Sequence, residues 1–375
     1  MRIALIISSL AAGGAERVLS LMANWWAEAG NDVTVITLAG LDRDFYKTDE
    51  SVTRVALNLM RDRRNALDAI SANFKRVWQL RKAIQEAKPH LVISFVDITN
   101  ILVVLATRRL DIPVIISERT SPKHFAAGRI ATTLRPHVYP SASMLVMQSE
   151  ALRPWGEKIM RWDTRVTVIA NPVQCGTTPP ASGGLLPLWW RATRKHVLAI
   201  GRLDAGKGFD MLLEAFHRAL GDNPEWDLVI IGEGPARPDL KALREKLGLD
   251  DRVSLPGRVD QPWTIGANAD IFVLSSRYEG FPNVLLEAMV HGLACVSFDC
   301  PVGPGQIVRD NFDALLAPPG DVDALAAAMK RVAESDDLRH RLGNNARNSV
   351  QRFDPVHIMR EWDDMIENLT GLRPV

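Results

Sequence analysis

The chain has 375 residues, 47% of them hydrophobic and 24% charged, with a net charge of +1 and three cysteines. That length suits two domains, each able to bury its own core, and the composition excludes wholesale disorder. The near-neutral balance gives no general case for nucleic-acid binding. Cys175, Cys295 and Cys300 form no CxxC pair, so neither a disulfide framework nor a zinc cluster is expected, and a reducing cytosol is the simplest compartment.

The opening apolar run Ile3–Ile7 is shorter than a signal-peptide core and leads into a Gly-Gly turn, so it reads as a first buried strand. No stretch reaches the roughly 18 apolar residues that span a bilayer, and a soluble or peripheral protein is expected. Strands follow at Asp32–Thr37, Thr53–Ala56, Leu91–Phe95, Val114–Ser117, Met144–Gln148 and Val166–Ile169, with helices at Ala15–Ala29, Ala69–Ala87 and Asn100–Arg108. Continuous apolar strands interleaved with amphipathic helices indicate a parallel sheet covered on both faces. Residues 173–194 break the pattern with a Thr/Pro/Ser/Gly-rich linker composition. The alternation then restarts with strands at His196–Ile200, Trp226–Ile231, Arg252–Leu255, Ile271–Leu274, Cys295–Phe298 and Ala314–Leu316. Helices are expected at Gly208–Ala219, Pro238–Leu247, Asp321–Ala333, Asp337–Gln351 and Pro355–Leu369. The fold class is therefore α/β, with two consecutive doubly wound units over residues 1–172 and 195–354. Ligands of such sheets bind beyond the carboxyl ends of the strands, which points to the cleft between the units.

Three segments carry chemistry. Gly13 and Gly14 join the first strand to the first helix, where a bare backbone allows close approach of a ligand and a helix start favours negative charge. A plain tight turn would explain the pair equally well. The segment Gly201-Arg202-Leu203-Asp204-Ala205-Gly206-Lys207-Gly208 places two cations five residues apart on a glycine-rich strand-to-helix loop, which suits a pyrophosphate. Alone, those cations read as well as solvated surface charges. The strongest segment is Glu279-Gly280-Phe281-Pro282-Asn283-Val284-Leu285-Leu286-Glu287, with two carboxylates eight residues apart. Pro282 fits the first turn of a helix, so Glu279 lies on the preceding loop, and the amides of Asn283, Val284 and Leu285 would face an anion. Glu287 falls among apolar neighbours, and carboxylates accept paired hydrogen bonds from vicinal hydroxyls. The bland alternative is a helix-start Glu279 and a solvated Glu287. Asp321-Val322-Asp323 matches DxD but opens an alanine-rich helix, so it reads as an N-cap rather than a metal site.

Together with Ile169-Ala170-Asn171-Pro172, Gly232-Glu233-Gly234-Pro235 and Asp299-Cys300-Pro301-Val302-Gly303-Pro304, these segments resemble glycosyltransferase family 4 over essentially the whole chain. The resemblance implies the GT-B fold, two Rossmann-like domains facing each other across a cleft, the first on the acceptor side and the second binding the donor. A terminal helix, residues 355–375, is expected to pack back on the first. It implies a retaining transfer from a nucleotide-sugar with no covalent nucleophile, no cofactor and no required metal. In that reading Arg202 and Lys207 hold the diphosphate, whose departing oxygen takes the acceptor proton. Glu279 contacts the donor hexose, Glu287 binds the ribose, and Gly13, Gly14, Phe281, Pro282, Asn283 and Val284 complete the donor site. Within the family the chain is similar to bacterial transferases that extend lipid-linked oligosaccharides, including the N-acetylgalactosamine transferase of bacterial N-glycosylation. That subgroup implies a uridine donor, a glycan or polyprenyl-diphosphate acceptor, and acceptor-side residues Asp97, Glu118 and Arg119. Arg119 stands where many relatives carry histidine, and Gln306 where glutamate is usual.

Residues Arg61 to His90 carry eight Lys/Arg against three acidic residues, with Phe74, Val77, Trp78, Leu80 and Ile84 interleaved at helical spacing. Such a segment suits docking on an anionic membrane surface at the cytosolic face. An ordinary surface helix packing its apolar stripe on the sheet fits the pattern equally. Other readings are a GT-B epimerase, an inactive nucleotide-sugar-binding scaffold and, weakest because GxGxxG is absent, a nicotinamide-dependent oxidoreductase.

Overall fold

The computed structural model describes residues 1–60, 66–119, 128–161, 163–174, 187 and 189–375. The chain divides into two compact units, Met1–Pro172 with Val356–Val375, and Val173–Pro355.

The first unit holds a seven-stranded sheet of β1 (Arg2–Ile7), β2 (Asp32–Thr37), β3 (Thr53–Ala56), β4 (Leu91–Phe95), β5 (Val114–Ser117), β6 (Met144–Met147) and β7 (Val166–Val168). Every pairing is parallel and the order is β3-β2-β1-β4-β5-β6-β7. The chain walks outward from β1 to β3, then returns to the centre at β4, so the switch point lies between β1 and β4. Helices α1 (Gly14–Glu28), α2 (Ala66–Ala87), α3 (Asp97–Thr107), α4 (Gly128–Val138) and α5 (Arg153–Met160) make the connections. The strands are apolar nearly throughout because helices cover both faces.

The second unit holds β8 (Lys195–Ile200), β9 (Trp226–Ile231), β10 (Val253–Gly257), β11 (Ile271–Leu274), β12 (Ala294–Phe298) and β13 (Ala314–Ala317). They form a parallel sheet in the order β10-β9-β8-β11-β12-β13, with its switch point between β8 and β11. Strand β10 runs through Pro256 with a register shift, which an edge strand tolerates because one side of it needs no ladder bonds. The helices are α6 (Phe209–Leu220), α7 (Arg237–Lys246), α8 (Pro262–Gly266), α9 (Asn283–Val290), α10 (Val322–Ala333) and α11 (Asp336–Ser349). The core interleaves Val197, Leu228, Ile230, Val273 and Val296 of the sheet with Phe216, Leu325 and Met329 of α6 and α10.

From Val356 onward, α12 (Pro355–Thr370) belongs to the first unit. Its Ile358, Met359, Trp362 and Ile366 join the core built by β1, β2 and α1. Trp362 meets Trp26 edge to face at 6.4 Å, and Trp26 Nε1 donates to Asp363 Oδ1 at 2.8 Å.

Two stretches refine the sequence reading. The expected linker falls mostly on residues 175–186 and 188, outside the described residues, as does Cys175. Trp190, at its end, is buried and stacks on His196 at 4.0 Å. In α2, Leu80 and Ile84 are buried as an inward stripe, whereas Phe74 and Trp78 are 74% and 60% exposed. Arg76 donates to Leu59 O and Arg81 to Ala106 O and Arg108 O, so both serve the unit itself. Lys75, Lys82 and Lys88 are exposed, and Arg61, Arg63 and Arg64 lie outside the described residues.

Asp321 caps α10, its Oδ1 accepting from Ala324 N at 2.9 Å, and Asp323 pairs with Arg218 at 2.6 Å. Asp321→Ala should cost about 1 kcal/mol in urea unfolding of this unit, equally with and without magnesium. A stabilising effect of magnesium that the substitution removes would make the aspartates a cation site instead.

Candidate active site

The second unit's site is assembled at the carboxyl end of its switch point. Beyond β8, Asp204 accepts from Lys207 N and shapes the turn Ala205–Lys207. Gly208 then adopts φ +62°, and a Cβ there would stand 2.1 Å from Ser275 O, so only glycine lets the loop lie against the end of β11. Ser275 Oγ donates to Lys207 O at 3.0 Å. This seating delivers Lys207 Nζ to Glu279 Oε1 at 2.6 Å, and Ser276 Oγ donates to the same oxygen at 2.6 Å. Glu279 is buried. The loop beyond β12 closes on it, since a Cβ on Gly303 would be 2.9 Å from Glu279 Cβ. The preceding Val302 is held at φ +71°, a strained setting for a β-branched residue. Burial and, secondarily, the charge of Glu279 push the Cys300 thiol up to about 12, so it stays protonated.

Glu287 lies in the second turn of α9, buried, and accepts a hydrogen bond from the indole N–H of Trp263. The solvated alternative for Glu287 does not hold. Pro282 is the N-cap of α9 rather than a residue of its first turn, because its ψ of 86° is not helical. The amides of Asn283 and Leu285 are spent within the turn on Phe281 O and Pro282 O, so the helix start offers an anion less than its sequence promises. Phe281 packs edge-on against Phe353 at 5.9 Å, and Asn283 and Val284 are half-buried. Arg202 is 73% exposed and pairs with Asp204 at 2.7 Å. Gln306 is exposed in the turn Pro304–Gln306.

In the first unit Gly13 is extended at the N-cap of α1 and Gly14 is the helix's first residue. A Cβ on Gly13 would fall 2.1 Å from Glu16 Oε2, so the glycine admits this carboxylate, whose pKa burial raises. Beyond β4, Val96 takes φ +74° and α3 begins at Asp97, earlier than expected. Asp97 pairs with Arg135 at 2.9 Å, Arg135 Nε lies 3.4 Å from Glu118 Oε1, and Tyr139 donates its hydroxyl to Glu118. Glu118 is fully buried, and desolvation raises its carboxyl from 4.5 to about 7 despite the opposing Arg135 and Tyr139. Arg119 points elsewhere. It donates to Asn171, stacks over Phe95 at 3.9 Å, and is lowered to about 9 by burial, which leaves it charged at neutral pH.

Residues 13–172 match the family described as glycosyl transferase 4-like domain, and residues 189–349 match glycosyl transferases group 1. A Campylobacter jejuni protein, GalNAc-alpha-(1->4)-GalNAc-alpha-(1->3)-diNAcBac-PP-undecaprenol alpha-1,4-N-acetyl-D-galactosaminyltransferase, is 31% identical over 368 residues, 98% of each chain. The chain belongs to glycosyltransferase family 4. The lipopolysaccharide 1,6-galactosyltransferase of Escherichia coli is 27% identical over 277 residues, 71% of this glycosyltransferase and 72% of that one. Among solved structures, the apo form of lipopolysaccharide outer core galactosyltransferase WaaB aligns with a TM-score of 0.73 at 21% identity, over 98% of this chain and 99% of that one. Anabaena Alr3699/HepE, in complex with UDP and glucose, aligns with a TM-score of 0.77 at 20% identity, over 99% and 100% of the two chains. The fold is GT-B and the glycosyltransferase is an enzyme.

The structure brings Lys207 together with Glu279, and Asp97 with Glu118. The partners Arg135, Tyr139, Ser276 and Trp263 belong to no motif. Arg135 precedes a proline inside a helix and Trp263 sits in a helix of five residues, too short to show a period.

Glu118 holds its proton more tightly folded than unfolded. Its contribution to stability is therefore complete below pH 4.5 and lost as pH rises through 7. Glu118→Gln should flatten the decline of the urea midpoint between about pH 5 and 8. An unchanged slope would place the titration on another group.

Proposed function

We propose that this glycosyltransferase moves a hexose or N-acetylhexosamine, with retention, from a UDP-sugar to a growing glycan on a polyprenyl diphosphate at the cytosolic face of the membrane. The observation that carries this reading is the contact of Lys207 with Glu279 at the switch point, followed on α9 by a second buried carboxylate, Glu287. A cation held there can turn toward a diphosphate that gains charge as the sugar leaves, lowering the barrier more than it tightens substrate binding. Arg202, on the same loop, adds a second cation. Glu279, anchored by Lys207 and Ser276, is the hydrogen-bond acceptor for the donor hexose, and Glu287 for the ribose. The departing diphosphate oxygen takes the acceptor proton on the same face, which needs no protein nucleophile.

The donor class is supported by the neighbour solved with UDP and glucose, and the acceptor class by the name of the Campylobacter relative, which specifies an undecaprenyl-diphosphate-linked glycan. That name and the α-linkages it states fit an α-linked donor giving an α-linked product. Asp97, Glu118 and Arg119 are assigned to the acceptor side; because Arg119 stands where many relatives carry histidine, no acceptor-activating role is carried over to it.

Lys207→Ala and Glu287→Ala should each lower kcat/KM about a hundredfold or more with the circular dichroism spectrum unchanged. Transfer at the wild-type rate by Glu287→Ala would sink the assignment. Protein cations, rather than a metal, meet the leaving charge, so transfer should keep its rate in excess EDTA. A loss restored by manganese or magnesium would reverse that conclusion.

Among the described residues no helix is long and apolar enough to cross a membrane. The exposed Phe74 and Trp78, one turn apart and flanked by Lys75 and Lys82, supply an interfacial wedge instead. Each lysine near an anionic surface contributes about 1 kcal/mol. Phe74→Ser with Trp78→Ser should abolish flotation with anionic vesicles while UDP binding persists; undiminished flotation would remove the membrane from this account.

A further inference from the structure

Trp263 lies in the short helix α8, between β10 and β11, and no motif of the chain includes it. Its indole Nε1–H donates to Glu287 Oε2, and both side chains are buried. The ring that carries this donor is clamped. His291 stacks on it at 5.0 Å and 20°, Phe272 lies tilted against it at 6.0 Å, and a Cβ on Gly266 would stand 3.2 Å from Trp263 Cε3. The indole plane, and with it the direction of the N–H, is set by packing on several sides.

A glutamate carboxylate has little rotational preference of its own, because its last torsion is broad and roughly two-fold. Recognition of two adjacent hydroxyls requires a defined carboxylate plane. An indole is a donor only, so it cannot exchange roles with a substrate hydroxyl or rotate into an accepting tautomer. A rigid donor on Oε2 therefore selects one carboxylate plane before any ligand arrives, and the ordering entropy is not charged to binding. We propose that Trp263 is a positioning residue that aims the Glu287 carboxylate at the ribose hydroxyls of the donor nucleotide. This inference rests on the reading of Glu287 as the ribose ligand.

The two readings separate in one set of titrations. Calorimetry of UDP and of 2′-deoxy-UDP is carried out on the full-length protein, on Trp263→Phe, on Glu287→Ala and on the double variant. The wild type should prefer UDP about tenfold, the size of one hydrogen bond to a charged group. Trp263→Phe should weaken UDP about tenfold, leave 2′-deoxy-UDP within about twofold, and so collapse the preference. KM for the UDP-sugar should rise while kcat stays within about twofold, a split that lost core packing would not produce. In the Glu287→Ala background the tryptophan substitution should add no further loss. A preference retained by Trp263→Phe but abolished by Glu287→Ala overturns the role of Trp263 and leaves that of Glu287 standing. A wild type without preference, or a preference that survives Glu287→Ala, overturns the ribose reading and this inference with it. Should Trp263→Phe fold poorly, benzothienylalanine at position 263, which exchanges only the N–H for sulfur, gives the same readout.

Discussion

An ammonium from the loop beyond β8 and a carboxylate from the loop beyond β11 meet at 2.6 Å, and the second unit is organised to let them meet. A parallel sheet whose chain order reverses between those two strands leaves their carboxyl ends with loops that diverge, which is where such a pair can be reached by a ligand. The seating depends on positions where a side chain has no room. Gly208 lies against Ser275 O, Gly206 against the ring of Tyr278, and Gly303 against Glu279 itself. A partly buried ion pair is poor value for stability, since its desolvation offsets much of its attraction, and well-packed apolar residues often serve as well. The pair is better understood through what it holds ready than through what it stabilises.

The first unit solves a different electrostatic problem with the same topology. Its buried Glu118 has Arg135 and Tyr139 for company, yet desolvation outweighs both. Asp97 at the start of α3 shares Arg135 and so competes with Glu118 for the same cation. Arg119, the next residue in the loop beyond β5, has other partners, Asn171 and the ring of Phe95. A guanidinium lying over Phe95 and bonded to Asn171 keeps its charge in apolar surroundings with no carboxylate partner among the described residues.

The strands were legible because burial on both faces leaves an uninterrupted apolar run, and β2, β4, β9 and β11 fall on the residues expected of them. Helices with several turns of periodicity were legible as well. What escaped was short or proline-bearing: α8 has five residues, α5 carries Pro154 in its first turn, and α4 carries Pro136 inside it. The paired glutamates and the Arg202–Lys207 loop stood out because charge on a glycine-rich turn or within an apolar helix needs an explanation. Their partners did not stand out. Ser276, Trp263, Arg135 and Tyr139 are ordinary residues at ordinary positions; Ser276 meets Glu279 only through the turn between them, and the others meet carboxylates on separate elements. The register of α9 was misjudged by one residue for a local reason, since Pro282 caps the helix with ψ 86° instead of entering it.

The first unit is discontinuous in the chain, and that has a consequence for how the protein is made. Residues 173–355 form a contiguous unit whose core is complete once they have been synthesised. Residues 1–172 come first from the ribosome, yet the core around Trp26 still lacks Ile358, Met359, Trp362 and Ile366. Domains usually mature in the order of synthesis. Here the order of synthesis leaves the apolar face that β1 and α1 present to α12 uncovered until those residues have been made. A chain ended before α12 would carry the complete core of the second unit and a first unit whose core lacks those four side chains.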